Sequence, residues 1–357
     1  MGVRSPNNLG FFCGKITSTI SFVRTYAVGF VHFGRQIVTS HARMTEIPIN
    51  SGKTAIVTGG ARGIGIEIVK QLLQADMRVI IACRSVSSGE KAIKQIRVEG
   101  VKSGVAECIP LELASLDSVR KFVDAFLSLG IPLNILINNA GILAPPYKLT
   151  LDGLESQFQI NYFSHFLLTV LLTPALVRGG HQGDGLSRIV NISSIMSEIG
   201  DVNFEDLLMS KFYDRNAAYS NTKLMQIVSS CHLNRQFVAK NLPVRAYSVH
   251  PGVVKTELAI YSPVYFMMKL VLWLFAKTPS QAVDTVVYTA LSDELIDCGG
   301  TFISNCKIIR PNWKAEDIEI QDKLWELSCK LCKLGRNEKA INTLTVDPFV
   351  VNAGRIN

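Results

Sequence analysis

Tyr219-Ser220-Asn221-Thr222-Lys223 places a phenol and an ammonium four positions apart in a stretch with helical patterning. Positions i and i+4 share one helix face, so the two groups point the same way. A free tyrosine ionises near pH ~10, too high for a base in neutral water. A lysine cation beside it stabilises the phenolate and suits the pair to acid–base work. Any long helix can hold this spacing by chance, so the pair needs company. The run Arg188–Ser194 (RIVNISS) ends in two serines, which leaves the Ser194 hydroxyl beyond a strand end and able to hold a substrate oxygen. Asn161 is a poor helix former inside an apolar stretch, and a buried amide there must find partners. Tyr219, Lys223, Ser194 and Asn161 are therefore the candidate catalytic group.

A second set of residues suits phosphate. Thr58-Gly59-Gly60-Ala61-Arg62-Gly63-Ile64-Gly65 follows a short apolar run and precedes an amphipathic one. Glycines between a strand and a helix let the chain turn tightly beneath a pyrophosphate, at a helix end that offers free N–H groups. Gly59, Ala61, Arg62, Gly63, Ile64 and Gly65 are expected to line that site. The second strand ends in Ala82-Cys83-Arg84, without the acid that a ribose 2′-hydroxyl would want. Arg84 and Arg62 can instead clamp a 2′-phosphate. This favours NADP(H), with NAD(H) as the alternative. Asn139 in Asn138-Asn139-Ala140-Gly141, and Val254 and Thr256 after Pro251-Gly252, extend the site, Thr256 within reach of a nicotinamide amide.

These residues need a scaffold that gathers strand ends. Strand-like runs are expected at Thr54–Thr58, Arg78–Ala82, Ala106–Leu111, Leu133–Ile137, Arg188–Ile192, Val244–Val249 and Thr301–Ser304. Between them lie helical patterns at Ile64–Gln74, Gly89–Val98 (capped by Ser87 or Ser88), Leu116–Leu129, Thr150–Leu172 and Ala217–Ala239. Strands alternating with helices give βαβ units, and near-continuous apolar strands fit a parallel sheet covered on both faces. The expected fold is α/β: a doubly wound, Rossmann-type parallel sheet in one domain over residues 51–310. A C-terminal helix and tail follow over 311–357, with Ile318–Leu334 amphipathic and Trp325 as its packing anchor.

The motifs TGGARGIG, NNAG, Asn161, Ser194, YSNTK and HPGVVKT occur in this order, and together they resemble the short-chain dehydrogenase/reductase family over about residues 53–304. The phrases IPLNILINNAG, NYFSHFLLT and HPGVV, with the late Trp325 region, are similar to its retinol-dehydrogenase-like branch. The resemblance implies reversible hydride transfer between a nicotinamide and an alcohol carbon. Tyr219 would be the general acid/base and Lys223 would hold the nicotinamide ribose. Ser194 would orient the reacting oxygen, and Asn161 would hold a water of the proton relay. Asn139 and Leu113 would border the adenosine half. Glu112 stands where the branch usually has Asp, which puts its contact with the adenine amino group in doubt.

Tyr261–Phe275 is apolar and aromatic, too short to span a bilayer, and interrupted by Lys269. It is expected to form a short substrate lid over a lipophilic alcohol or ketone of retinoid, polyprenoid or steroid type, or else to pack as an ordinary helix. The rival accounts are a broad reductase of small carbonyls and a non-catalytic nucleotide-binding scaffold.

The whole chain has 357 residues and a net charge of +8. Half of that excess falls in residues 1–50, where Arg4, Lys15, Arg24, Arg35 and Arg43 face only Glu46. No basic run or zinc-ligand spacing follows, so no nucleic-acid partner is expected, and no metal. Residues 1–50 are set apart as a leader or membrane-associating segment, since a central Arg24 costs a spanning helix about 2.5–3.5 kcal/mol. The expected location is a membrane surface, of the endoplasmic reticulum first and mitochondria second; a homodimer is compatible with the sequence. The eight cysteines are scattered; Cys329 and Cys332 are simplest as free thiols on a terminal helix. Asn191-Ile192-Ser193 is a glycosylation sequon, but inside a strand it would be inaccessible.

Overall fold

The computed structural model describes residues 23–25, 27–36, 38–39, 42, 44, 46–182, 185–254 and 276–335. Eight strands form one sheet: β1 (Thr54–Thr58), β2 (Arg78–Cys83), β3 (Val105–Pro110), β4 (Ile135–Asn138), β5 (Ser187–Ile192), β6 (Val244–His250), β7 (Phe302–Ser304) and β8 (Lys307–Ile309). Their order is β3-β2-β1-β4-β5-β6-β7-β8. All neighbours are parallel except β7 and β8, which pair as an antiparallel hairpin. The chain winds outward in both directions from β1 and β4, and that reversal leaves a crevice at the strands' carboxyl ends.

The helices are α1 (Ile64–Gln74), α2 (Val86–Val98), α3 (Leu116–Leu127), α4 (Ser156–Gly180), α5 (Arg215–Ala239), α6 (Pro279–Leu291) and α7 (Ile318–Leu331). Strand side chains alternate between faces, and the core divides accordingly. Ile56, Ile80, Leu136, Ile189 and Ala246 pack with α3, α4, α5 and α7. Ala55, Val57, Val79, Ile81, Ile137 and Val190 pack with α1, Ile96 of α2, and α6. Both faces are covered, so the strands are apolar nearly throughout, as a parallel sheet requires.

Several boundaries differ from expectation. Ser85, with extended backbone, caps α2 by accepting from the Ser88 N–H, so neither Ser87 nor Ser88 is the cap. The expected helix at Thr150 begins only at Ser156. Thr150–Gly153 makes a turn, with Gly153 at φ +76, and the Glu155 carboxylate accepts from the Gln157 and Phe158 N–H groups to start α4. The helix then runs through Pro174 to Gly180. It is long and apolar enough to cross a membrane, but most of it is buried in the domain. The expected sequon asparagine, Asn191, lies on β5, is buried, and donates to Ser230 Oγ. Trp325 packs between Phe166 and His232, with ring centroids 5.1 and 4.8 Å away.

Part of the N-terminal segment lies against the domain. Residues 23–36 are helical, residue 26 aside. Phe33 is buried, and Met44 and Ile47 pack against the α1/α6 side of the core.

Candidate active site

β1 ends at Thr58, whose Oγ1 accepts from the N–H groups of Asn139 (2.9 Å) and Ala140 (3.0 Å) just beyond β4. Asn139 Nδ2 returns a bond to Thr58 O at 2.8 Å. The glycine loop leaves β1 through Gly59 at φ +67 and reaches Gly63 at φ +59. A Cβ on Gly65 would stand 2.2 Å from Gly59 O, so only glycine permits the loop to fold back so closely. Gly63 is the N-cap of α1 and offers no side-chain cap. Serine, aspartate or threonine caps α2, α3, α5 and α6. The first-turn N–H groups of α1, flanked by Ala61, Arg62 and Ile64, are thus open to an anion.

Arg62 and Arg84 are both exposed, and neither has an ion-pair partner among the described residues. Glu112 accepts from the Ala114 N–H at 2.9 Å, so one carboxylate oxygen is already engaged. Leu113 is buried, with its carbonyl accepting from Ser164 Oγ at 2.6 Å. The buried Oδ1 of Asn139 has no partner among the described residues. An uncapped helix start, a glycine fold-back and an orphan acceptor along one strand edge fit a dinucleotide. Val254 is half-buried just past β6 and bridges in parallel to Lys277. Thr256 and the expected lid, 261–275, lie outside the described residues.

The catalytic candidates converge on the neighbouring strand ends. Tyr219 and Lys223 lie in α5, 7% and 4% exposed. Lys223 Nζ stands 5.6 Å from the Tyr219 ring centroid and donates to Ile192 O (2.7 Å) and Gln226 Oε1 (3.3 Å). The Ser194 side chain favours the ionised Tyr219 phenol, pulling against burial. Ser194 also caps the short turn Ile195–Ile199, accepting from Met196 N–H. A Cβ on Gly141 would stand 3.2 Å from Asn161 Oδ1, tighter than an ordinary contact, so the glycine after β4 leaves room for that amide.

Burial governs the electrostatics. It pushes Tyr219 up to about 12, against the pull of the Ser194 hydroxyl. It pushes Lys223 down to about 7. Both shifts disfavour the charged forms, so the help that the lysine cation gives a phenolate is outweighed here by desolvation.

Asn161 sits in a π-helical turn, Gln159–Phe163, within α4. Such turns re-aim side chains and are frequent at functional sites. Its Oδ1 accepts from the Ile142 N–H (2.8 Å), while its Nδ2 donates to Ile142 O (3.0 Å) and Thr222 Oγ1 (3.1 Å). Its carbonyl accepts from Gln226 Nε2 at 2.8 Å. Asn161 therefore binds the loop after β4 to α5.

The motifs alone did not single out Thr58, Gln226 or, in this role, His165. His165 Nε2 lies 2.9 Å from Thr58 Oγ1 and Nδ1 lies 3.2 Å from Asn161 O, so one imidazole links the two halves of the site. Burial holds it down to about 4, a neutral ring. Its place four residues after Asn161 was the available signal. Cys329 and Cys332 are buried on α7, away from this chemistry, and burial raises the Cys332 thiol.

The short chain dehydrogenase family profile matches residues 53–263. A polyprenol dehydrogenase of Danio rerio is 38% identical over 317 residues, covering 88% of this chain and 97% of the relative. Retinol dehydrogenase 11 of Mus musculus is 38% identical over 283 residues, covering 79% and 87%. Among solved structures, an uncharacterized protein from Mycobacterium Paratuberculosis superposes with a TM-score of 0.67 at 30% identity, covering 82% of this chain and 98% of that one. A Pseudomonas aeruginosa RhlG/NADP complex, at 23% identity and TM-score 0.57, covers 73% and 97% and shares the fold.

Proposed function

The chain belongs to the short-chain dehydrogenase family, and on that premise we propose an NADP(H)-dependent oxidoreductase that interconverts a lipophilic alcohol and its aldehyde or ketone. That it is an oxidoreductase of alcohols follows from the family and its named dehydrogenase relatives. The convergence of Tyr219, Lys223 and Ser194 at the strand ends carries the proposal.

Ser194 Oγ holds the reacting oxygen, and Tyr219 Oη gives it a proton in reduction or removes one in oxidation. Lys223 places its Nζ beside the phenol and would hold the ribose, and Asn161 keeps α5 and the β4 loop in register. The nicotinamide, when bound, supplies or accepts the hydride. The uncapped start of α1 would hold the pyrophosphate. Exposed, unpaired Arg62 and Arg84 favour a 2′-phosphate, while Asn139, Leu113 and the free oxygen of Glu112 face the adenosine half.

Relatives named for polyprenol and retinol support a long apolar alcohol. The phrases IPLNILINNAG and NYFSHFLLT also resemble the X-linked dehydrogenase/reductase member of the branch. Exposed Val23, Phe30, Val31 and Val38 on the N-terminal helical segment suit a membrane surface, for which we propose the endoplasmic reticulum.

Tyr219→Phe should lower turnover at least a thousandfold while leaving NADPH binding within twofold of wild type. Undiminished turnover sinks the mechanism. Small polar ketones turned over far better than retinoid or polyprenoid alcohols would favour the small-carbonyl reductase instead.

A further inference from the structure

The helical residues 23–36 present two different faces. Phe30, Val31 and Arg35 are exposed, whereas Thr25, Gly29, His32, Phe33 and Gln36 recur at helical spacing and turn inward. Gln36 makes a two-point pair with the backbone N–H and C=O of one residue, Val253, in the loop after β6. Its Oε1 accepts from the Val253 N–H at 2.8 Å, and its Nε2 donates to Val253 O at 3.2 Å. The pair requires the preceding glycine. Gly252 has φ +98, and a Cβ there would stand 2.8 Å from Gln36 Oε1. On the other side, the Lys277 N–H donates to Val253 O at 2.9 Å. One turn before Gln36, His32 Nε2 lies 3.0 Å from Glu198 Oε2 on the turn that Ser194 caps. Farther along, the Ala42 N–H donates to Asn305 Oδ1 at 3.2 Å in the β7–β8 hairpin.

One helix face therefore grips the loops after β5 and β6, the first of which carries Ser194. We infer that Gln36 is a positioning residue for the nicotinamide end of the cofactor: it holds the Val253 peptide, and through it Val254, in the conformation that receives the cofactor. This rests on the proposal that the loop after β6 borders a nicotinamide. It makes the N-terminal helix a working part of the enzyme as well as a membrane-facing segment. A freed Val253 peptide finds water at little cost, so losing Gln36 should loosen the loop without unfolding the domain.

The test uses the full chain. Gln36→Ala should raise the Kd and KM for NADPH three- to tenfold, leave the KM for the alcohol within twofold, and speed hydrogen exchange at the Val253 amide at least tenfold. Gln36→Glu keeps the acceptor but loses the donor, and should fall between wild type and Gln36→Ala. If both variants keep the wild-type NADPH Kd and KM, the inference is overturned. A lower active fraction with unchanged cofactor KM has the same meaning, since that is the mark of a merely structural role. A wild-type protein that binds neither NADPH nor NADH overturns the functional reading, and the inference with it. The exchange measurement then still shows whether Gln36 holds Val253.

Discussion

Asn161 and Gln36 each close a two-point hydrogen-bonded pair with the backbone of one loop residue at the sheet's carboxyl edge, yet they come from different kinds of chain. Asn161 is fully buried in a π-turn of a core helix and grips Ile142, 19 residues away. Gln36 is half-exposed on a helix outside the sheet and grips Val253, 217 residues away. The first pair is backed by a third, fully buried bond to Thr222 from an amide that is itself out of solvent's reach; the second can exchange with water. The same amide chemistry therefore serves as a fixed strut on one side of the site and as an adjustable catch on the other.

Breaking the strut should have the largest effect. Asn161→Ala takes the side-chain partner from the half-buried N–H and C=O of Ile142 and one of two bonds from Thr222 Oγ1, at about 1–3 kcal/mol for each group left unpaired, so we expect a loss of about 3–4 kcal/mol in denaturant unfolding and a collapse of turnover. A variant as stable as wild type would show that the strut is not needed.

Acid should act on the same side. His165 is held at about 4 in the fold, below the usual 6.5 or so of an unfolded histidine. Between those values the unfolded chain binds more protons, so stability falls as pH drops from 6.5 toward 4, by on the order of 3 kcal/mol from this group. His250 and His232, also held low by burial, add to the slope. Melting temperatures across this range should decline less steeply in His165→Gln; parallel slopes would remove His165 from the account.

The smallest effect sharpens the catch. Gly252→Ala meets left-handed backbone and the Gln36 oxygen together, and should cost about 1–3 kcal/mol. In a Gln36→Ala background that cost should shrink, because the Gln36 contact has gone while the left-handed backbone and the Lys277 side chain, 2.9 Å from the same Cβ, remain. A double-mutant cycle with no coupling would separate Gly252 from Gln36.

The difference between these regions also separates what local sequence patterns specify from what tertiary docking decides. Strand runs, the glycine loop and the Tyr219–Lys223 spacing are local patterns, and each lies where its period and flanking glycines place it. Asn161 stands out as a polar residue in an apolar helix, though its partners do not. The start of α4 escapes the pattern because Thr150–Gly153 shares the helix's composition, while Glu155 supplies the cap. β8 escapes it because a three-residue edge strand carries almost no periodicity. Gln36 and His32 carry no signal, since their partners are set by tertiary docking of a segment whose composition suggests a leader.

That docking also imposes an order of events during synthesis. His32, Gln36 and Ala42 leave the ribosome early, but Val253 follows Gln36 by 217 residues and Asn305 follows Ala42 by 263. At roughly 5–20 residues per second, the inner face of the helix waits roughly 8–35 s for its first distant partner, Glu198, which follows His32 by 166 residues. Throughout that interval both of its faces are bare, and a lipid surface competes for a helix that the finished enzyme will need on one side only.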